Sequence, residues 1–271
     1  LKLLLTSDRA EADGLVEILE RRNQERQQAQ AKILEEVESL LGQKNLDATW
    51  AIVLSAEGWN SGVVGIVASK VVERYHRPTV LLSIDRETGV ASGSARSIEA
   101  FNIIKALGEC GELLDRAGGH ELAAGLSLKI ERLERFETRL NEIAGERIRA
   151  EDLIPKVEVD GVIGPDDISW DLLRDIRRLE PFGPGNPEPV FVSRGLPVTD
   201  ARRVGADGSH IKLWVRGDAG ARIECIGFGL GDEEPKVQLG RKIDLCYNIR
   251  SNAYNGSDTI QLAVRDIRTE G

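Results

Sequence analysis

Methionine is absent from this sequence of 271 residues, cysteine and histidine occur three times each, and aromatic residues make up only 4%. A chain that opens at Leu1 with no initiator reads as a piece of a longer protein or as one stripped of a leader. The opening run Leu1-Lys2-Leu3-Leu4-Leu5 is too short for the apolar core of a signal peptide and lacks a small-residue cleavage site, which favours the first explanation. No stretch approaches the roughly 20 apolar residues that a membrane-spanning helix needs. Cys110, Cys225 and Cys246 are odd in number and widely separated. They form neither a metal-ligand spacing nor a disulfide framework, and they read as buried thiols of a reducing cytoplasm. His76, His120 and His210 stand in no cluster with Asp or Glu at metal-centre spacing, which argues against a self-contained metallohydrolase.

What remains is ordinary globular material, 41% hydrophobic and 30% charged, at a length that predicts roughly two domains. The net charge of −9 is uneven: residues 1–184 hold 24 basic and 33 acidic side chains, whereas residues 185–271 hold 12 of each. A neutral segment can still gather its cations on one face, so phosphate binding is allowed there.

The opening apolar run predicts a strand, followed by Thr6-Ser7-Asp8 as helix-capping residues. From Arg9 to Leu41 the spacing is helical, with a stretch at Arg21–Gln28 that is polar all round. That pattern fits one long helix crossing solvent between two bodies, or two ordinary short helices. A strand followed by a long helix reads as the end of a preceding domain. From Thr49 strand and helix signals alternate: strands at 51–55, 79–84, 89–96 and 123–128, helices at 62–75, 98–107 and 133–149. This is an α/β domain with a mixed sheet covered by helices. Charges and Pro155 break the pattern, and after a helix near Trp170–Leu179 comes Pro181-Phe182-Gly183-Pro184-Gly185-Asn186-Pro187-Glu188-Pro189, which cannot be regular structure. Short period-2 runs follow at 210–216, 222–228, 242–249 and 259–264, with Asn255-Gly256 as a hairpin signal. They predict a small all-β barrel. The expected division is 1–48 (end of a preceding domain and linker helix), 49–150 (α/β domain) and 151–271 (barrel with its leading helix).

Four clusters carry chemistry. Gly93-Ser94-Ala95-Arg96-Ser97 ends a strand before a helix, an anion site made of hydroxyls, a guanidinium and helix N–H groups; a Ser-capped helix with an exposed Arg fits equally. Ala117-Gly118-Gly119-His120 lets backbone approach a ligand beside a titratable ring, or is a tight turn with a hydrogen-bonded His. Gly58-Trp59-Asn60-Ser61-Gly62-Val63-Val64-Gly65 matches no phosphate-loop pattern and reads as packing glycines. On the barrel, Lys212, Trp214, Arg216, Arg222, Phe228, Tyr247, Arg250 and Tyr254 interleave cations with aromatics, as single-strand binders do. Period 2 turns some of these inward, and Trp214 and Phe228 read as core.

Together these stretches resemble the RecJ-type exonucleases of the DHH phosphoesterase superfamily. Gly58-Trp59, Gly62–Ser69, Gly93–Ser97 and Gly118-Gly119-His120 with Ala123-Ala124-Gly125 are similar to the DHH-associated domain. The proline–glycine stretch, Arg203-Val204-Gly205, His210–Leu213 and Asn255 through Ile267 are similar to the family's oligonucleotide-binding (OB) domain. The resemblance implies the substrate-binding half of a single-stranded-DNA-specific 5′→3′ exonuclease of DNA repair and recombination. Its Mn²⁺ or Mg²⁺ centre would lie in a DHH domain upstream of Leu1, with no metal on this chain, and the chain alone would be inactive. Ser94 and Arg96, with Gly93, would grip the 5′ phosphate; Gly118, Gly119 and His120 would line the cleft, His120 touching the phosphate being cut. Lys212, Arg222, Arg250 and Tyr254 would hold the single strand. Asn60 departs from the family, which usually has His after Gly-Trp. Single-stranded DNA is the implied partner, with a single-strand-binding protein and a helicase as candidate protein partners, in the cytoplasm. The rivals are a small-substrate DHH phosphodiesterase, which gives no reason for residues 181–271, and a non-catalytic single-strand-binding module, which gives no role to Ser94 and Arg96.

Overall fold

The computed structural model describes residues 1–217, 220–254 and 257–269, without the side chains of Tyr254 and Ser257. They divide into two compact units, Leu1–Pro155 and Lys156–Gly271. Asn255-Gly256, read as a hairpin turn, lies outside the described residues.

The first unit opens with a short helix, α1 (Lys2–Leu5), where the apolar run suggested a strand. With no neighbouring strand in register, four leucine-rich residues adopt their better local conformation, since Leu is a strong helix former. Asp8 then accepts from the N–H groups of Ala10 (2.8 Å) and Glu11 (3.2 Å) and starts α2 (Arg9–Leu41). Of the two readings of this stretch, one continuous helix is correct. Only Ile33, Val37 and Leu41 in its last third are buried. They pack on α3 (Val64–Tyr75) through Val64, Val67, Ala68 and Val71.

A five-stranded mixed sheet runs in the order β1-β2-β3-β5-β4. Its strands are β1 (Ile52–Glu57), β2 (Thr79–Asp85), β3 (Val90–Arg96), β4 (Arg116–Gly119) and β5 (Ala123–Lys129). The β1-α3-β2 connection makes β1 and β2 parallel, and β2-β3-β5-β4 are antiparallel throughout. Alternation along the strands separates two apolar layers. Ile52, Leu54 and Leu81 face α3 and α2. Val53, Val80, Leu82, Ala91, Ala95, Leu126 and Leu128 face α4 (Ile103–Glu109) and α5 (Leu133–Arg147), which contribute Ile103, Leu107, Phe136 and Leu140.

The second unit is a closed barrel of β7 (Phe191–Val204), β8 (His210–Arg216), β9 (Arg222–Gly227), β10 (Lys242–Tyr254) and β11 (Ser257–Thr269). The order β10-β11-β9-β8-β7 is closed by β7 pairing with β10, and β9 runs parallel to β11. A short β6 (Gly161–Val162) pairs parallel with the start of β7, and α6 (Trp170–Arg177) packs Leu173 and Ile176 on the barrel core. The longest of these strands, β7, escaped the sequence pattern because Gly195 and Pro197 interrupt its alternation. The same interruption lets β7 change partner, from β10 over Phe191–Pro197 to β8 over Val198–Val204. The proline–glycine stretch is irregular, as expected: Gly183 and Asn186 exchange backbone hydrogen bonds (2.9 Å each), and Arg250 binds both carboxylate oxygens of Glu188.

Candidate functional site

Ser94 and Arg96, read as an anion site, do come together, but a different helix faces them. The helix expected from Ile98 begins only at Ile103, capped by Asn102, while Ser97 turns back to donate to the Phe101 carbonyl (2.6 Å). Ser94 and Arg96 lie inside β3, with β2 and β5 pairing their backbone on both sides. The helix over them is α3. A Cβ built on Gly65, in its first turn, would lie 2.9 Å from Arg96 Nη2 and 3.1 Å from Ser94 Oγ. Gly65 is therefore a close-approach residue, and the stretch from Gly58 to Gly65, read as packing glycines, ends against Ser94 and Arg96. No side chain caps the N-terminus of α3, so its positive pole adds to that of the guanidinium. Asn60 caps its own turn, its side-chain oxygen accepting from Gly62 N–H (2.9 Å).

Cross-strand register shows what lies beside this pocket. One row reads Leu54–Leu81–Ser94–Gly125–Gly118 from β1 to β4. Under α3 the row is apolar; beyond Ser94 it is glycine, and a Cβ on Gly118 would meet nothing within 4 Å. The next row on the same face is Ser83–Ser92–Ser127–Arg116. The result is a low shelf of glycines and hydroxyls with a guanidinium at either end. Arg96 donates only to its neighbour's carbonyl (Ala95, 2.8 Å). Among the described residues neither Arg96 nor Arg116 has a carboxylate partner, and the hydroxyls of Ser83, Ser92, Ser94 and Ser127 have no protein partner. Two unneutralised guanidinium groups above hydroxyls and bare backbone form a surface for a polyanion. Sequence reasoning missed Ser92, Ser127 and Arg116; their period-2 spacing from Ser94, Gly125 and Gly118 was the available signal.

At Gly93 a Cβ would lie 1.9 Å from the Leu81 carbonyl oxygen, so the close pairing of β2 and β3 requires glycine there. Gly119 has φ of +151°, and a Cβ on it would lie 2.3 Å from the Ala123 carbonyl oxygen. It makes the tight β4–β5 turn, which His120 closes by donating its N–H to Ala123 (2.8 Å). Ala123 pairs with Arg96, so the exposed His120 stands at the same end of the sheet as Arg96. An open cleft of about 890 Å³ lies elsewhere in this unit, between Gly108–Leu113 and α5.

On the barrel, Ile211, Leu213 and Val215 of β8 are fully buried in the core, so Lys212 and Trp214 face outward. Trp214 is half-buried on the outer face, and Phe228, just past β9, is 64% exposed. Both readings as core residues are thus corrected: each sits on the opposite parity to the buried set or beyond the strand's end. Tyr247 does point inward, bonded to Ser193 (2.6 Å), and burial pushes its phenol up to about 12. Lys212, Arg222 and Arg202 stand over the Trp214 ring at 5.2, 4.7 and 5.1 Å. Lys212 also pairs with Glu224 (3.0 Å) and Arg222 with Asp200 (3.2 Å). Arg250 lies on β10, away from this group, and is committed to Glu188. Tyr254's side chain lies outside the described residues. All three cysteines are free and buried, with burial raising the Cys110 thiol to about 11.

Among the described residues no three His, Cys, Asp or Glu side chains gather to hold a metal ion, and no helix is long and apolar enough to cross a membrane. The donor set for a catalytic metal is thus not among them, and no step of hydrolysis is assigned to a metal on this chain.

The tandem of a mixed α/β sheet and a closed five-stranded barrel has counterparts among known proteins. Residues 48–146 match the DHHA1 domain and residues 159–266 the RecJ OB domain. The single-stranded-DNA-specific exonuclease RecJ of Bacillus subtilis is 39% identical over 97% of this chain, which covers 33% of that protein. RecJ of Thermus thermophilus is 31% identical over 99% of the chain, covering 37% of the relative. The crystal structure of Thermus thermophilus RecJ in complex with Mn²⁺ superposes over the whole chain with a TM-score of 0.79 at 29% identity, 38% of that structure being covered. The chain is similar to RecJ over nearly its whole length, carries matches to the DHHA1 and RecJ OB domains, and spans about a third of the length of these relatives.

Proposed function

We propose that this chain is the substrate-binding portion of a 5′→3′ single-stranded-DNA exonuclease acting in DNA repair and recombination. The observation that carries this reading is the Arg96–Ser94 pair under the N-terminus of α3, a cation with no carboxylate partner beside a shelf without bulky side chains. Ser94 and Arg96 hold the terminal 5′ phosphate. Gly118 lets the following backbone pass, and His120, at the same end of the sheet, contacts the phosphate to be cut. Ser92, Ser127 and Arg116 extend the polar floor. The barrel holds the strand beyond, with Lys212 and Arg222 as phosphate contacts; Arg250, bound to Glu188, contributes less. Hydrolysis uses Mn²⁺ or Mg²⁺ in the intact enzyme, and the chain by itself binds without cutting, in the cytoplasm.

The test compares affinity for 5′-phosphorylated and 5′-hydroxyl oligonucleotides. Wild type prefers the phosphorylated end, and Arg96→Ala removes the preference at unchanged thermal stability; equal affinities in wild type refute the assignment. Degradation of 5′-labelled single strands by this chain with Mn²⁺ would refute its inactivity.

A further inference from the structure

We propose that the shelf of the first unit continues past the 5′-phosphate grip into a second anion subsite, made by Ser92, Ser127, Arg116 and Lys129. This subsite selects strands whose 5′ end carries a di- or triphosphate. The proposal rests on the assignment of Ser94 and Arg96 to the first 5′ phosphate and names which 5′ ends that same site takes best.

Charge is the first observation. Strands β3, β4 and β5 together hold Arg96, Arg116 and Lys129 and not one Asp or Glu, in a chain whose net charge is −9. All three cations belong to one face. Ala124, Leu126 and Leu128 of β5 are buried against α4 and α5, so Ala123, Gly125, Ser127 and Lys129 point the opposite way. They run in register beside Arg96, Ser94 and Ser92, and Arg116 stands opposite Ser127. Among the described residues none of the three cations pairs with a carboxylate. The acids of the other two strands are engaged elsewhere: Glu57 with Arg86, and Asp85 with the N–H groups of Glu87 and Thr88 (2.9 and 3.2 Å). Asp115, beside Arg116 in the chain, pairs with Arg132 (3.6 Å). Cations gathered on one face without acids repel one another and gain from a polyanion.

Direction is the second. The rows run Arg96–Ala123, then Ser94–Gly125, then Ser92–Ser127 with Arg116, then Val90–Lys129. His120 lies at the Arg96 end, and with it the phosphate to be cut. A strand whose terminal phosphate sits on Ser94 and Arg96 therefore leaves the rows beyond Ser94 unused. Ser92 and Ser127 stand one row, about 7 Å, past Ser94, and their hydroxyls have no protein partner. A further nucleotide cannot fill that space, because the strand ends at the gripped phosphate; a further phosphate can. The three strands carry no aromatic side chain on which a base could stack. Hydroxyls and guanidinium groups are instead the donors that phosphate oxygens take. A chain of two or three phosphates bridges one row, and Lys129 ends the path with a further positive charge. Such ends belong to strands that a polymerase began without a primer, since hydrolysis of a strand leaves at most one phosphate at each new end.

The experiment uses one oligonucleotide in three forms, ending in a 5′ hydroxyl, monophosphate or triphosphate. Each competes with a labelled 5′-phosphorylated strand for this chain, in EDTA so that no metal bridges the phosphates. Wild type is expected to bind the triphosphate form about 10- to 150-fold more tightly than the monophosphate, the range of one added hydrogen bond to a charged group. Arg116→Ala and Lys129→Ala each shrink that ratio, and Lys129→Arg retains it. Both side chains are exposed, so their loss spares the core. Lys105→Ala, which removes a cation from α4 on the other side of the sheet, leaves the ratio as it was. A triphosphate bound no better than a monophosphate, with the monophosphate still preferred over the hydroxyl, overturns the second subsite and leaves the 5′-phosphate grip standing. A ratio that falls as far with Lys105→Ala as with Lys129→Ala reduces the effect to net charge and overturns the subsite too. Equal affinities for monophosphate and hydroxyl ends overturn the grip and the subsite together.

Discussion

Adding one methyl group at Gly65 should separate the phosphate grip from the stability of the fold. The new Cβ would lie 2.9 Å from Arg96 Nη2, 3.1 Å from Ser94 Oγ and 3.4 Å from Ser94 Cβ. The last distance is ordinary contact. The other two involve the far end of a flexible side chain and a hydroxyl that can rotate, so the backbone of β3 need not move. Alanine also suits a helix better than glycine by up to about 1 kcal/mol. The net change in stability should therefore stay within about 1 kcal/mol. The guanidinium, by contrast, must leave the position from which it faces Ser94. A hydrogen bond to a charged group is worth about 1.5–3 kcal/mol, so affinity for a 5′-phosphorylated oligonucleotide should fall about 10- to 150-fold. Affinity for the 5′-hydroxyl strand should hardly change.

The assay is anisotropy with both oligonucleotides, paired with thermal melting of each variant. Because the effect acts through Arg96, the double variant Gly65→Ala/Arg96→Ala should bind no worse than Arg96→Ala alone, a non-additivity expected of groups in contact. Two outcomes would refute the reasoning. One is an unchanged preference for the phosphorylated end at an unchanged melting temperature. The other is full additivity of the two losses, which would mean that the methyl acts somewhere other than on Arg96.

Two further perturbations probe the scaffold. Tyr247 is buried in the barrel with its phenol pushed up to about 12, while the same group in an unfolded chain titrates near 10. Its contribution is fully present below about pH 10 and is withdrawn as pH rises toward 12, an effect of about 2–3 kcal/mol at its limit. Urea midpoints measured across that range should fall more steeply for wild type than for Tyr247→Phe, and parallel curves would contradict the assignment. In the first unit, the Trp59 indole N–H donates to Glu36 (2.7 Å), tying α2 to the loop that leads into α3. Glu36→Leu leaves a buried donor unpaired and should cost about 1–3 kcal/mol in chemical denaturation, whereas Glu36→Gln keeps an acceptor and should cost far less; equal losses would show that packing, not the hydrogen bond, matters there.

Elements with a clean period were legible in the sequence because a single face decides them. Strand β2, helices α3 and α5, and strands β8 and β10 of the barrel fall in this group. The cap at Asp8 was equally local, since its donors lie two and three residues away. The proposed phosphate site was legible in part: the pairing of a hydroxyl and a guanidinium at Ser94 and Arg96 could be read, but the helix facing them could not be read from adjacency. Local reading assigns the next helix in the chain. The sheet assigns α3 instead, because the β1-α3-β2 crossover lays a helix from before β2 across a strand from after it. Gly65 thus looks like packing until the register is known, and Ser127 and Arg116 look like nothing at all until β5 and β4 are laid beside β3. Trp214 failed for a different reason. A general preference for buried aromatics outweighed a local fact: its neighbours two positions away on the same strand, Lys212 and Arg216, are cations that cannot share a barrel core. Parity within a strand is a stronger constraint than residue type, because one position's shift would turn Ile211, Leu213 and Val215 to solvent. Applied to β8 from the outset, that rule places the indole outside, among the arginines that come to meet it.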